Sequence, residues 1–378
     1  MPPTNLGKNR LKKAKAATTR RQFLKTSAAA LAASTLSSCG WTLADVKSTP
    51  TMQGDADTLY IFTWAGYTDK DLLDRFYEET GIRVIADVFD SNEIMLAKIQ
   101  AGAGAAYSVI YPSDYMVEKM TGLGLLTKLD KSLLLGIDDL FPQFQDPVYD
   151  PGGNYSVPLS WGTTGLIYNK SLLDEAPEDW DYLWQYRDDL ARRMTLLEDP
   201  REVIGAALRM LGYSYNTTNI EHVRQAYEEL LVLMPFVASL TNYNWRAQML
   251  TGDLKLAMCY SSDAAEITPE NEDLIYITPD SGSSLWTDTL VIPKAAPNPT
   301  GAYKWINFML QPEIAAEVVE RLSFATASIP AYKKLPEELR ADATLFPPES
   351  VIERCESLAP VGDFEEVYDR YWTLLTSA

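Results

Sequence analysis

From Thr58 onward the apolar and polar positions switch between two periods. "TLYIFTW" (58–64) is a short run rich in β-branched and aromatic residues, which predicts a strand. "DKDLLDRFYEETG" (69–81) has apolar residues at helical spacing and stops at Gly81, which predicts a helix. "IRVIADVF" (82–89) predicts a second strand, "SNEIMLAKIQAG" (91–102) a helix and "YSVIYPS" (107–113) a third strand. The alternation recurs later: "RMTLLED" (193–199) precedes a helical stretch, "LKLAMCYS" (254–261) follows one, and "WTDTLVIP" (286–293) precedes "TGAYKWINFML" (300–310). Short apolar runs alternating with helices predict an α/β fold with parallel sheets, and no internal repeat interrupts it.

One helix start carries two carboxylates. In "LLEDPREVI" (196–204), Asp199 is a favoured N-cap, Pro200 suits the first helical position and Glu202 falls at the third, as in a capping box. "REVIGAALRMLGY" continues at helical spacing and stops near Gly212. On this stretch alone, a plain helix start is the simpler reading.

The first 44 residues contain no Asp or Glu, and Lys8, Arg10, Lys12, Lys13, Lys15, Arg20, Arg21 and Lys25 precede the apolar run "SAAALAASTLSSC". That run is too short to span a bilayer, which takes roughly 20 residues. The order of basic region, apolar run and small residues predicts a signal peptide over residues 1–38. "TRRQFLK" is similar to a twin-arginine export signal, and "LSSC" to a bacterial lipobox, which implies cleavage before Cys39 and lipidation of its thiol. Residues 39–57 are expected to form a flexible tether.

Loss of the leader deepens the charge. The chain carries a formal net charge of −19, and residues 1–38 hold eight positive charges, so the remainder stands near −27. Such a surface repels nucleic acid and anionic lipid and attracts cations. Catalytic chemistry finds little support. The single histidine, His222, lies in a polar helical stretch, no Cys/His cluster points to zinc, and no glycine-rich phosphate loop occurs. The expectation is a protein that is not an enzyme and has no cofactor or metal. Cys259 and Cys355 remain after Cys39, and two cysteines alone do not define a disulfide.

In open α/β sheets, ligands sit beyond the carboxyl ends of the strands. Here those ends present Trp64 and Tyr67, then Ser113, Asp114 and Tyr115, then Asp199, Tyr260, Trp286 and Asp288. Aromatic rings and carboxylates recur, while Arg and Lys are nearly absent. A cation with an apolar stem suits this set: ring faces attract charge and cover methylenes, and carboxylates take ammonium protons.

These stretches, with "TWAGY", "FYEETGIRV", "SNEIMLAKIQAG", "YPSDYMVEKM", "DPREVIGAALRMLGYSYNTT", "LWTDTLVIP", "WINFMLQPEIA" and "VYDRYW", resemble the spermidine/putrescine-binding periplasmic proteins of ABC importers, from about Leu59 to the C-terminus. The resemblance implies a type II periplasmic-binding fold, in which two α/β lobes close on the ligand across a hinge. It implies a first lobe of residues 58–160 plus 287–331 and a second of 161–286 plus 332–378. It further implies ligand contacts at Trp64, Tyr67, Ser113, Tyr115, Asp199, Glu202, Trp286 and Asp288. The carboxylate pair Asp199 and Glu202 would grip a terminal amine, and Asp288 would face an internal one. Three positions depart from the family pattern. Tyr260 stands for a tryptophan, Phe324 for a tyrosine, and Leu358 falls at the place of a glutamine at the end opposite Asp199 and Glu202. Asp114 could add a compensating charge or cap a helix. The expected function is delivery of spermidine or putrescine to an inner-membrane ABC permease by a monomeric, lipid-anchored periplasmic protein. A binding protein for ferric iron or a sugar, or a secreted glycoside hydrolase, is the alternative.

Overall fold

The computed structural model describes residues 56–377. The leader, Cys39 and nearly all of the tether lie outside the described residues. Eleven strands occur among them: β1 (Thr58–Trp64), β2 (Arg83–Phe89), β3 (Val109–Ile110), β4 (Ser156–Asn169), β5 (Met194–Leu196), β6 (Ser239–Leu240), β7 (Leu256–Tyr260), β8 (Leu274–Ile277), β9 (Ser284–Val291), β10 (Ala325–Thr326) and β11 (Glu356–Ser357). The helices that matter below are α1 (Lys70–Thr80), α2 (Asn92–Gln100), α3 (Asp114–Gly122), α4 (Pro200–Met210), α5 (Ile220–Leu233), α6 (Pro299–Met309), α7 (Pro312–Leu322) and α8 (Glu365–Thr376).

Local chemistry explains where the helices begin and end. Asp69 accepts from the Leu72 N–H at 2.9 Å to start α1, and Gly81 ends it at φ 71°, a left-handed conformation that favours glycine. Ser91 caps α2 in the same way, through the Ile94 N–H at 3.2 Å.

The strands run in the order β2-β1-β3-β9-β4-β7-β5-β6. β4 is the axis of the molecule. Its Ser156–Thr163 portion pairs with β9, while Thr164–Asn169 pairs with β7 and β8. One long strand thus belongs to two sheets. The sheets are mixed rather than wholly parallel: β1 pairs parallel with β2 and β3, and β5 with β6 and β7, but β4 and β9 are antiparallel to each other and to most of their neighbours. A chain that passes between two sheets and returns must place its two crossing strands head to tail, whatever the hydrophobic period.

Each sheet has its own apolar core. Trp305, Phe76 and Phe308 gather over the first, and Trp180, Leu183, Val203 and Leu230 over the second. The tail divides between them. Ala331, Leu335 and Leu345 pack with Ala315 and Val319 of α7, on the first sheet's side. Tyr368 and Leu375 of α8 join the core of the second.

Candidate functional site

The strand ends of both sheets open onto one cavity of about 320 Å³. Asp288 is part of its lining. On β9, Ser284, Trp286 and Asp288 share one face by the two-residue period of a strand. The Asp288 carboxyl is nearly buried; Ser113 Oγ donates to its Oδ1 at 2.7 Å, and the Tyr67 hydroxyl donates to its Oδ2. The same phenol meets Oγ of Ser160, which stands opposite Asp288 on β4. Burial lifts the Asp288 carboxyl to about 6, and the two hydroxyl donors oppose the rise. Burial, then the charge of Asp288, holds the Tyr67 phenol well above its ordinary value, so it remains a donor.

Aromatic rings form the walls. The Trp286 ring lies across β4 because Gly162 stands opposite it; a Cβ there would fall 2.3 Å from the ring. Tyr260, at the end of β7, meets Trp286 edge to face at 6.0 Å. Tyr67 and Phe324 stack at 3.9 Å, and Trp64 tilts against Phe89 at 4.3 Å. The indole nitrogens of Trp64 and Trp286 are buried without a hydrogen-bond partner among the described residues.

At the N-terminus of α4, Asp199 Oδ1 accepts from the N–H groups of Arg201 at 2.9 Å and Glu202 at 3.1 Å, so Asp199 is the N-cap. The expected capping box is not completed. Both Glu202 oxygens instead accept from Ser284 Oγ, at 2.9 and 2.7 Å, and the side chain is buried toward β9. Burial, then Asp199, pushes the Glu202 carboxyl up; burial, then Glu93, does the same to Asp199. Tyr115, on α3, donates to Glu93 Oε1 at 3.0 Å and accepts from Asn92 Nδ2 at 3.1 Å.

All ten residues expected as ligand contacts line this cavity, and so do Asp114 and Leu358. Asp114 is the first residue of α3 rather than its cap. Its Oδ1 accepts from the Tyr115 N–H at 2.8 Å, and its Oδ2 is buried with no partner among the described residues. Leu358 requires a correction. β11 pairs parallel with β9, with Glu356 beside Ser284 and Ser357 beside Leu285. Since Ser284 holds Glu202, Leu358 stands at the Asp199–Glu202 end, not opposite it.

Sequence reasoning missed Ser284, Ser160 and Glu93. Ser284 was legible, two residues before Trp286 on the same strand face. Ser160 and Glu93 arrive through register and packing, which leave no local mark. Arg246 and Arg321 also line the cavity, but each is paired with carboxylates: Arg246 with Asp263, and Arg321 with Asp69 at 2.9 Å and Asp71 at 3.1 Å. Cys259 and Cys355 are both free thiols.

Comparison with known proteins agrees with this architecture. The profile of bacterial extracellular solute-binding proteins matches residues 71–347. A spermidine/putrescine-binding periplasmic protein of Salmonella typhimurium is 37% identical over 322 residues, which is 85% of this chain and 92% of that one. The solved spermidine/putrescine ABC transporter substrate-binding protein of Streptococcus pneumoniae is 34% identical with a TM-score of 0.73, covering 84% of this chain and 99% of that one. A lipoprotein of Treponema pallidum is 30% identical with a TM-score of 0.76, over the same shares. Two α/β sheets joined through shared strands, a cleft at their strand ends and relatives along most of the chain lead to one conclusion: this chain belongs to the bacterial extracellular solute-binding proteins, on the two-lobed type II fold of periplasmic binding proteins.

Proposed function

We propose that the cavity takes a linear polyamine, spermidine or putrescine, and that the protein delivers it to an inner-membrane ABC permease without chemical conversion. The observation that carries this reading is the charge of the wall. Asp199, Glu202 and Asp288 face one cavity between aromatic rings, and the two guanidiniums on that wall are already paired. A chain of ammonium groups joined by methylenes supplies the missing counter-charge and fits against ring faces. The polyamine-binding relatives support the same ligand class.

Magnitudes agree. Charge-assisted hydrogen bonds contribute roughly 1.5–3 kcal/mol each, and a desolvated cation–π contact about 1–2 kcal/mol. Three of the first and two of the second give a gross ~7–13 kcal/mol before the costs of association; micromolar binding needs about 8. Ferric iron suits the cavity less well. It favours tyrosinate oxygens, and burial holds the Tyr67, Tyr115 and Tyr260 phenols well above their ordinary values.

In this reading one lobe comprises residues 58–160 and 287–331 and the other residues 161–286 and 332–378, except that the segment through Leu345, expected in the second lobe, packs on α7 of the first. Closure about β4 and β9 encloses the ligand. Lipidation at Cys39 would tether a monomer at the periplasmic membrane surface. Calorimetric titration with spermidine and putrescine tests the proposal. Micromolar or tighter binding of at least one is expected. No heat and no thermal shift with either, from folded protein, would overturn it.

A further inference from the structure

Arg201 sits between Asp199 and Glu202 in sequence, yet it is not part of the cavity lining. Its side chain is buried beneath it, where Nη1 donates to Glu365 Oε2 at 3.2 Å and Nη2 donates to Asn216 Oδ1 at 3.0 Å and to the Ala359 carbonyl at 3.1 Å. The guanidinium carbon lies 5.0 Å over the Tyr368 ring. One side chain of α4 thus holds three remote segments.

Asn216 completes the arrangement. Its Oδ1 accepts from the Ala359 N–H at 2.8 Å, and its Nδ2 donates to the Ser357 carbonyl at 2.9 Å. Leu358 is therefore fastened on both sides, through Ser357 before it and Ala359 after it. The Tyr368 hydroxyl donates to the carbonyls of Tyr215 at 3.1 Å and Thr217 at 2.9 Å, which fixes the residues flanking Asn216. The side chain so fastened is cavity wall: Leu358 is buried and lines it, directly after the strand that pairs with β9 where Ser284 holds Glu202.

We infer that Arg201 and Asn216 form a buried brace that fixes the Leu358 wall at the Asp199–Glu202 end of the cavity, and so govern how deeply a terminal ammonium seats there and which polyamine length the rest of the cavity fits, although neither lines it. The inference rests on the polyamine reading above. A guanidinium presents donors in a fixed planar fork, so it fixes distances that a flexible ammonium does not. A buried cation also holds its partners firmly, because losing one leaves an uncompensated charge. In a fitted apolar pocket, one methylene changes affinity by roughly ten- to two-hundredfold. A wall displaced by part of a bond length then alters the preference between a diamine and a longer triamine.

The test uses Asn216→Ala, which releases the wall without removing a charge, and Arg201→Lys, which keeps the charge but loses the fork. Spermidine and putrescine affinities are measured by calorimetry well below each variant's melting temperature. Hydrogen exchange follows the Ala359 amide. The expected result is at least tenfold faster exchange at Ala359 in Asn216→Ala and at least a fivefold change in the spermidine-to-putrescine affinity ratio in both variants. A ratio within twofold of wild type in both, with melting temperatures alone reduced, would mean that the brace serves stability only and would overturn the inference. Unchanged Ala359 exchange in Asn216→Ala would overturn it too. Wild-type protein that binds neither amine would instead refute the polyamine reading, an outcome visible before any variant is made.

Discussion

Replacing Asp288 by asparagine should make the ligand-free protein more stable and the liganded protein weaker. Asp288 is buried, takes hydrogen bonds from Tyr67 and Ser113, and has its carboxyl raised to about 6 chiefly by burial. Against an ordinary value near 3.9, a rise of about two units corresponds to roughly 3 kcal/mol held against the charged form. The sign follows from linkage. A carboxyl whose folded value is raised favours the fold while it is protonated, and that contribution is lost as pH climbs from about 4 through about 6. Asparagine carries no such charge, but it accepts less strongly from the two hydroxyls, which leaves a net gain on the order of 1–2 kcal/mol above pH 6. For a chain of this size that is about 2–3 °C in melting temperature. Binding moves the other way. Loss of a charge-assisted bond worth about 1.5–3 kcal/mol weakens spermidine binding roughly ten- to a hundredfold. Scanning calorimetry at pH 4.5 and 7.5, with and without spermidine, reads both effects. The variant should melt higher than wild type at pH 7.5, equal it near pH 4.5 and lose most of the ligand-induced shift. A variant that melts lower at pH 7.5, or binds within twofold of wild type, would refute the reasoning.

Three further outcomes are expected. Asp199 and Glu202 are both raised, first by burial and then by a neighbouring carboxylate, and an ammonium beside them favours their ionised forms, so binding should release protons and tighten as pH rises through neutrality; equal calorimetric heats in buffers of different ionisation enthalpy would contradict this. Gly162→Ala places a Cβ 2.3 Å from the Trp286 ring and 2.4 Å from Ser261 Oγ. It should cost about 1–3 kcal/mol and shift tryptophan emission, whereas wild-type melting and emission would show that the ring does not depend on the glycine. Closure about β4 and β9 should reduce the radius of gyration in solution scattering when spermidine is added; an identical radius with saturating ligand would count against a hinge.

The fold was legible where each element buries a face of its own. The alternation of strand and helix through Gln100 follows from local period and capping residues, and the elements appear at those places. Strand direction was not legible. β4 is buried along all fourteen residues, so it has no alternating face to mark an orientation. Its Ser160, Thr163 and Thr164 are buried polar residues. Strand length was also overread. "YSVIYPS" yields only Val109–Ile110, because β1 is paired there over just two residues and β9 meets the segment at Ile110 and then only through the isolated bridge of Ser113 to Asp288.

The site was legible as a set of chemical groups but not as an arrangement. Leu358 lies far beyond Glu202 in sequence, and nothing near it announces that β11 returns to β9 beside Ser284. The carboxylate pair shows why local rules were insufficient. The sequence offers Asp199 and Glu202 as a reciprocal cap, in which Glu202 would fold back onto the helix. Asp199 does cap, using one oxygen for two N–H groups. Glu202 instead turns to Ser284 across the sheet and stays buried, with its carboxyl pushed up. A glutamate needed only to start the helix would gain nothing from that burial, since the cap is already made and a buried carboxyl is costly to ionise. Its position is accounted for if a cation arrives to share it, and Glu202→Gln, with normal melting and lost binding, would show that the helix never required the charge.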